Sequence, residues 1–225
     1  MAGFKMKVSL VAGFAAVAVL AGCATTNNPG GNSTPGKATV TGEGYSFVPM
    51  ANGARYEITG DLGKALSDCN DAVRKNPTNA RAYFSRGAIE AQMGESPQAI
   101  EDYEHALRIE PAFVAAYMNL GDLYCRREDF FRALLEYTNA VRLDPTRWAA
   151  YSARGLLEVG MGDYDKAISD CNRALKLNPR CGEAYANRGF AYSAKHENLK
   201  AIADFGEAIR IGPNSPVLHG IRAFC

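Results

Sequence analysis

The sequence lacks the residue patterns that most enzyme classes require. Its three histidines, His105, His196 and His219, are isolated. The spacings His-Glu-x-x-His and Gly-x-Ser-x-Gly and the phosphate-binding loop do not occur. Paired cysteines two to four residues apart, which a zinc site would need, are also missing. The sequence therefore offers no catalytic residue, metal site or cofactor, and predicts a protein that is not an enzyme.

A strong charge of either sign and a long apolar run are missing as well. The chain has 25 basic and 24 acidic residues, a net charge of +1, which gives no reason to expect nucleic acid or an anionic surface as a partner. Its main apolar run, from Val8 to Ala21, is shorter than the roughly 20 residues that a membrane-spanning helix needs.

The amino terminus has the layout of a secretory signal. Lys5 and Lys7 precede the apolar run, and Leu20-Ala21-Gly22-Cys23 follows it. A stretch of small residues before a cysteine resembles a bacterial lipobox. The resemblance implies a signal peptide at residues 1–22, cleaved before Cys23, whose thiol and new amino group would carry acyl chains such as palmitate. The alternative is an ordinary signal peptide with an incidental cysteine.

Residues 23–45 are predicted to be a lipidated cysteine followed by a flexible tether, because they are rich in Thr, Asn, Gly, Ser and Pro. Several acyl chains would anchor the protein stably, whereas one chain binds a membrane only reversibly. Ala24 after the cysteine resembles lipoproteins that Gram-negative cells sort to the outer membrane. The expected location is the periplasmic face of that membrane.

The rest of the chain repeats itself every 34 residues. If the repeats start at residues 46, 80, 114, 148 and 182, each has proline at position 32, glycine at position 8, and alanine at positions 20 and 27. The prolines are Pro77, Pro111, Pro145, Pro179 and Pro213, and the glycines are Gly53, Gly87, Gly121, Gly155 and Gly189. Such regularity predicts an array of similar structural units.

This pattern resembles the tetratricopeptide repeat. Repeat three matches it most fully, through Tyr117, Leu120, Gly121, Tyr124, Ala133, Tyr137, Ala140 and Pro145. The resemblance implies an all-α fold, a right-handed superhelical α-solenoid of five helix-turn-helix repeats. The repeats would be residues 46–79, 80–113, 114–147, 148–181 and 182–215, with a partial capping helix at residues 216–225.

Apolar residues within each repeat form two stripes of helical period, which predict two amphipathic helices joined by a turn. Glycine at position 8 and alanine at position 20 would let the two helices approach closely, and the proline would end the second helix. Some repeats depart from the family pattern: Pro49 replaces an aromatic residue in repeat one, Glu90 and Glu158 replace another aromatic, and arginine replaces leucine at position 7. Each second helix has an acid at position 23, which is predicted to be structural or solvated.

In the family that the chain resembles, the first helices line a concave groove that receives partners. Large apolar residues at these positions predict a docking surface here, although neighbouring repeats or the tether could instead cover some of them. Phe47 and Met50 would contribute in repeat one. The remaining candidate binding residues are Arg81, Phe84, Met118, Asn119, Asp122, Arg126, Leu156, Asn187 and Phe190. An extended or helical segment with apolar anchors is the expected ligand.

The cysteines offer a weaker hypothesis. Cys69 and Cys171 occupy a predicted core position, whereas Cys125 in the groove and Cys225 at the end are candidates for reactive thiols. A thiol-based redox role through Cys125 therefore stays open at this point.

The resemblance implies a protein-interaction scaffold among other envelope proteins, in one of two settings. Some tetratricopeptide lipoproteins help secretins of pili assemble in the outer membrane, and others recruit peptidoglycan hydrolases. The first setting is slightly favoured by the chain's size and simple domain organisation. Self-association through the carboxy-terminal edge is also expected if the last repeat is incompletely covered.

Overall fold

A computed structural model describes residues 45–49 and 56–212 of the chain. The predicted signal peptide, Cys23 and the partial capping helix at residues 216–225 lie outside this part. The elements in order are β1 (Tyr45–Pro49), β2 (Tyr56–Gly60), α1 (Leu62–Lys75), α2 (Ala80–Met93), α3 (Ser96–Ile109), α4 (Val114–Arg126), α5 (Phe130–Leu143), α6 (Trp148–Met161), α7 (Tyr164–Leu177), α8 (Gly182–Ala194) and α9 (Asn198–Ile211).

These elements form two compact units. The first runs from β1 to α5 and ends at Leu143, and the second contains α6 to α9 and begins at Asp144. Repeats two to five each consist of two packed helices, as the sequence predicts: α2 with α3 and α4 with α5 in the first unit, α6 with α7 and α8 with α9 in the second. Within each unit, neighbouring repeats also pack, through α3 and α4 or through α7 and α8.

The invariant glycines allow this close packing, as the sequence predicts. A β-carbon on Gly121 would lie 2.5 Å from the ring of Tyr137, and one on Gly189 would lie 2.6 Å from the ring of Phe205. The alanines at position 20 are completely buried in repeats two, three and four. Small residues on one helix therefore make room for an aromatic ring on its partner.

Side-chain caps are present at the start of some second helices and not of others. Asp61 accepts a hydrogen bond from the backbone N–H of Lys64 at 3.0 Å, and Asp129 accepts one from that of Arg132 at 3.2 Å. Glu95, Asp163 and Glu197 precede the other second helices and make no such bond. Asp163 instead pairs with the side chain of Lys166, which competes for the same carboxylate.

Repeat one departs from the prediction, because its first half is a β-hairpin instead of a helix. β1 and β2 pair antiparallel, with Phe47 opposite Ile58. Residues 45–49 and 56–60 are rich in aromatic and β-branched types, and Pro49 cannot sit in a helix interior without loss. The prediction that Phe47 lies on a first helix is therefore wrong, and Met50 lies outside the described residues.

The hairpin is attached to α2 by a side-chain amide. Gln92 accepts a hydrogen bond from the Ile58 N–H at 3.0 Å and donates one to its carbonyl at 2.8 Å. Ile58 itself is buried in a cluster with Ala65, Cys69 and Ile89. The hairpin thus covers the end of the first unit that a helix would otherwise cover.

Candidate protein-binding surface

Most of the predicted groove residues in the first unit are buried within the fold. Phe84 is 6% exposed and Met118 is 3% exposed. The ring of Phe84 lies 5.5 Å from that of Tyr103 and 4.7 Å from that of Phe113. The prediction that Phe84 and Met118 offer apolar surface to a partner is therefore wrong, because the protein's own side chains cover them.

The polar groove residues of the first unit are engaged by tyrosines of the second helices. Asn119 donates a hydrogen bond to the hydroxyl of Tyr103 at 3.0 Å, and the hydroxyl of Tyr137 donates one to Asp122 at 2.7 Å. Burial raises the pKa of Tyr103 above its ordinary value, so its hydroxyl stays protonated. Asn119 thus joins α4 to α3, and Asp122 joins α4 to α5. These contacts account for both residues without a ligand.

Among the predicted groove residues of this unit whose side chains the structure describes, Arg81 and Arg126 lie on the surface. The Arg126 guanidinium makes a long contact of 3.5 Å with the carbonyl oxygen of Ala91. These cations are available to a partner, but Phe84 and Met118, the apolar groove residues of this unit whose side chains the structure describes, are buried.

The second unit keeps an apolar surface at the predicted place. Leu156 on α6 and Phe190 on α8 both occupy repeat position 9, and both side chains are partly exposed. The two helices pack against each other, so the same face of both carries an apolar residue. Phe190 also contacts Phe205 edge to face, with ring centroids 5.1 Å apart. Asn187 is buried and donates to the Ser152 carbonyl at 3.2 Å.

The corresponding residues of the first unit are different. Position 9 holds Ala88 in repeat two and Asp122 in repeat three, and both are buried. Apolar side chains that are partly exposed at position 9 therefore occur in repeats four and five and not in repeats two and three.

The described cysteines are thiols in buried sites. Burial raises the pKa of Cys69 to about 11 and that of Cys181 to about 12, which disfavours the reactive thiolate. Cys125 was predicted to be accessible in the groove, but it is buried with its sulfur 3.7 Å from the Tyr137 hydroxyl. Its burial removes the basis for a reactive thiol there.

Sequence reasoning missed several apolar side chains exposed on second helices. Phe131 and Leu135 on α5 are 74% and 56% exposed, and Leu199 and Ile202 on α9 are also exposed. A comparison of repeats could have found the α5 pair. Positions 18 and 22 hold Pro97 and Glu101 in repeat two, and Asp165 and Ser169 in repeat four.

The exposure of Ile202 reflects its place on the last described helix. The equivalent Ile100 on α3 is 8% exposed because α4 packs on that helix, whereas Ile202 is 64% exposed. Self-association through this edge stays a prediction.

Arginine at position 7 joins the helices of its repeat. Arg188 binds Asp204 through two hydrogen bonds of 2.7 Å, one from Nε and one from Nη2. Arg86 binds Asp102 in the same way, and Arg154 binds Asp170. The acids at position 23 in these repeats are thus structural, as predicted, and they explain the departure from leucine at position 7.

The third guanidinium nitrogen of two of these arginines reaches the preceding repeat. Nη1 of Arg86 donates to Asn70 on α1 at 3.0 Å, and Nη1 of Arg188 donates to Asn172 on α7. One guanidinium therefore joins the two helices of its repeat and also binds the second helix of the preceding repeat in the same unit.

Neither a membrane span nor a metal site is found in the part of the chain that the structure describes. No helix there is long and apolar enough to cross a bilayer. Within the same residues, three or more His, Cys, Asp or Glu side chains do not gather where they could hold a metal ion.

Comparison with known proteins identifies the repeat. A family model described as tetratricopeptide repeat matches residues 148–181, and one described as TPR repeat matches residues 87–126. No curated protein matches this chain.

Several solved structures share the fold. The crystal structure of MamA is 24% identical, with a TM-score of 0.62, over 67% of this chain and 88% of MamA. MamA from Desulfovibrio magneticus RS-1 is 20% identical, with a TM-score of 0.61, over 67% of this chain and 85% of its own. YrrB, a TPR protein with an unusual peptide-binding site, is 25% identical over 72% of this chain and 84% of its own, with a TM-score of 0.61.

Residues 87–126 and 148–181 therefore match tetratricopeptide repeats, and the helical hairpins of this chain have the fold of that class. Proteins of this class are in general non-enzymatic scaffolds for protein–protein interaction, and they receive peptides in the groove that their first helices line.

Proposed function

We propose that this protein is a lipid-anchored scaffold on the periplasmic face of the outer membrane, which holds another envelope protein during pilus or secretion-complex assembly. The observation that carries the proposal is the pair of partly exposed apolar side chains, Leu156 and Phe190, on neighbouring first helices of the second unit. We refer to these two residues as the apolar pair.

The apolar pair suits a segment that brings its own apolar anchors. Water must leave both side chains when a ligand covers them, and burial of apolar area stabilises a complex by about 25 cal/mol per Å² before the cost of association. Ser152 and Asn187 beside the pair already bond each other, so they limit the polar contacts that a ligand can make there. The ligand is therefore an extended or helical segment that is recognised mainly through its shape and its apolar contacts.

The similarity to YrrB supports a peptide ligand, because that TPR protein has a peptide-binding site and resembles this chain over most of its length. The membrane anchor and the periplasmic location rest on the sequence alone, on the signal-like segment and Cys23. Anchoring by acyl chains would leave the repeats able to reach partners near the membrane surface through the tether.

Site-specific crosslinking in living cells tests the proposal. A photoreactive amino acid is placed at residue 156, and at Lys166 as a control, because Lys166 is an exposed residue on the second helix of the same repeat. Captured proteins are identified by mass spectrometry. We expect an adduct with a secretin or pilus protein from residue 156 and not from residue 166.

Each other outcome has a definite meaning. An adduct with a peptidoglycan hydrolase at residue 156 alone would support the scaffold and overturn the pilus assignment in favour of the alternative setting. Absence of an adduct, or the same adducts from both positions, would contradict binding at the apolar pair.

A further inference from the structure

Repeat two buries one more carboxyl group than its arginine can satisfy. Arg86 gives two hydrogen bonds to Asp102, at 2.6 and 2.7 Å, and Glu90 stays 4.0 Å from the Arg86 Nε. Glu90 is 8% exposed, and its Oε2 has no hydrogen-bond partner. When both acids are ionised, two buried negative charges therefore face one positive charge.

Repeat four has the same arrangement at equivalent positions. Arg154 binds Asp170 at 2.6 and 2.9 Å, and Glu158 lies beside them. Glu158 is 6% exposed, and its Oε2 also has no hydrogen-bond partner. Two independent instances in one chain make the arrangement a feature of the repeats and not an accident of one side chain.

Repeat five serves as an internal control. Position 11 holds Tyr192 there, where repeats two and four hold glutamate. Repeat five nevertheless has the same arginine–aspartate pair, Arg188 with Asp204. It therefore differs from repeats two and four by the absence of the second buried acid.

The groups that face Glu90 come from three elements and the turn after α2. They are Arg86 on its own helix, Asp102 and Tyr103 on α3, Glu95 in the turn, and the thiol of Cys69 on α1. Burial is the main reason why the pKa of Glu90 is raised to about 7, and Asp102 is the second. A proton on Glu90 is also able to form a hydrogen bond to Asp102.

Glu158 has comparable surroundings. Asp170 opposes its charge, and Arg154, Lys166 and Asp163 also act on it. Cys171 on α7 faces the same region, together with Arg188 on α8. Burial followed by Asp170 raises the pKa of Glu158 to about 7.

A raised pKa means that the folded state holds the proton more tightly than the unfolded state, whose glutamate titrates near 4.5. The stabilising effect of the proton is complete below the unfolded value and is lost as the pH rises towards 7. Above 7, the folded state carries an uncompensated buried charge in each of the two repeats.

We propose that repeats two and four are pH-sensitive elements: each stays closed while its own glutamate, Glu90 or Glu158, is protonated and opens locally when that glutamate is ionised, whereas repeat five does not respond. The opening separates the two helices of a repeat at the Arg86–Asp102 and Arg154–Asp170 pairs. Such opening lets water reach the unpartnered carboxylate oxygens.

Hydrogen exchange of the purified protein at about pH 5.5 and pH 8 tests this directly, after correction for the intrinsic pH dependence of exchange. We expect protection of residues 80–109 and 148–177 to fall on the order of tenfold between the two conditions, because each unit of pKa shift is a tenfold change in the equilibrium. Protection of residues 182–211 should change little.

Two variants sharpen the test. Glu90→Gln with Glu158→Gln should keep the protection of repeats two and four at pH 8, and Glu101→Gln should behave like the wild type, because Glu101 is an exposed acid on α3. The proposal is overturned if all described repeats show the same pH response, or if the double variant responds as the wild type does. The comparison between repeats of the wild-type protein needs no variant, so it decides the matter even if a variant fails to fold.

Discussion

In three of the repeats an arginine joins the two helices, and its contribution to stability depends on the aspartate that it binds. Arg188 and Asp204 have side chains that are only 19% and 8% exposed. Removing one partner of such a pair leaves the other buried without a counter-charge, whereas replacing both by apolar groups is often harmless. Repeat three holds Leu120 at the arginine position, and its acid, Glu136, accepts a hydrogen bond from Asn139 on its own helix instead.

Removal of one partner of the pair should therefore lower the free energy of unfolding more than removal of both partners. We expect Asp204→Ala to lower the free energy of unfolding by about 3 kcal/mol, and Arg188→Leu in the same chain to restore part of that loss. Urea denaturation followed by circular dichroism measures both variants. A double variant less stable than Asp204→Ala would contradict the claim that the unpaired, buried charge of Arg188 causes the loss.

Sequence reasoning identified the residues of these pairs but not their bonds. The sequence shows Asp204 and the other acids at position 23 as a row and the arginines as departures from leucine, yet only the folded hairpin brings residues 16 positions apart together. The groove prediction failed at Phe84 and Met118 for the related reason that burial depends on neighbouring helices. Their covering partners, such as Tyr103, lie on another helix whose placement a repeat pattern alone does not give.

At the scale of elements, the helices of repeats two to five follow from a period of 3.6 residues, and the glycines determine how closely each pair packs. Gly121 faces the ring of Tyr137, whose hydroxyl is held by Asp122 at 2.7 Å. The ring cannot move aside without breaking that bond. Gly206 in α9 has no atom within 4 Å of the place where a β-carbon would stand.

The two glycines should consequently respond in opposite directions to the same substitution. We expect Gly121→Ala to destabilise the protein by about 2 kcal/mol through overpacking, and Gly206→Ala to stabilise it by about 0.5 to 1 kcal/mol, because alanine favours a helix interior. The stabilities of the two variants and the wild type are compared by thermal unfolding. A Gly121→Ala protein as stable as the wild type would show that the close contact with Tyr137 is unimportant.

The β-hairpin shows where reading the sequence by its period misleads. Gly53 keeps the 34-residue spacing, so the first half of repeat one was assigned to a helix. Residues 56–60 instead alternate between residue types in the manner of a strand, and Gln92 holds the backbone of Ile58 from α2. A regular spacing predicts that a unit exists, but the local composition decides whether the unit is helical.

At the scale of the whole molecule, the proposed function joins a repeat domain to a membrane anchor. The anchor predicts incorporation of labelled palmitate into the protein, and its loss in Cys23→Ser, since that residue would carry the acyl chains. In a membrane fractionation, the Cys23→Ser variant should be missing from the outer membrane fraction. Labelling that persists in Cys23→Ser, or a wild-type protein without label, would refute the lipidation.

The central claim is that the apolar pair binds an envelope protein, and the affinity of the protein captured at residue 156 tests it most directly. Leu156→Glu places a charge on that surface, where the side chain is only partly buried, so the helices should fold as before. We predict at least about a tenfold loss of affinity, the equivalent of about 1.4 kcal/mol, with an unchanged circular dichroism spectrum. Unchanged affinity in a correctly folded Leu156→Glu protein would contradict the claim.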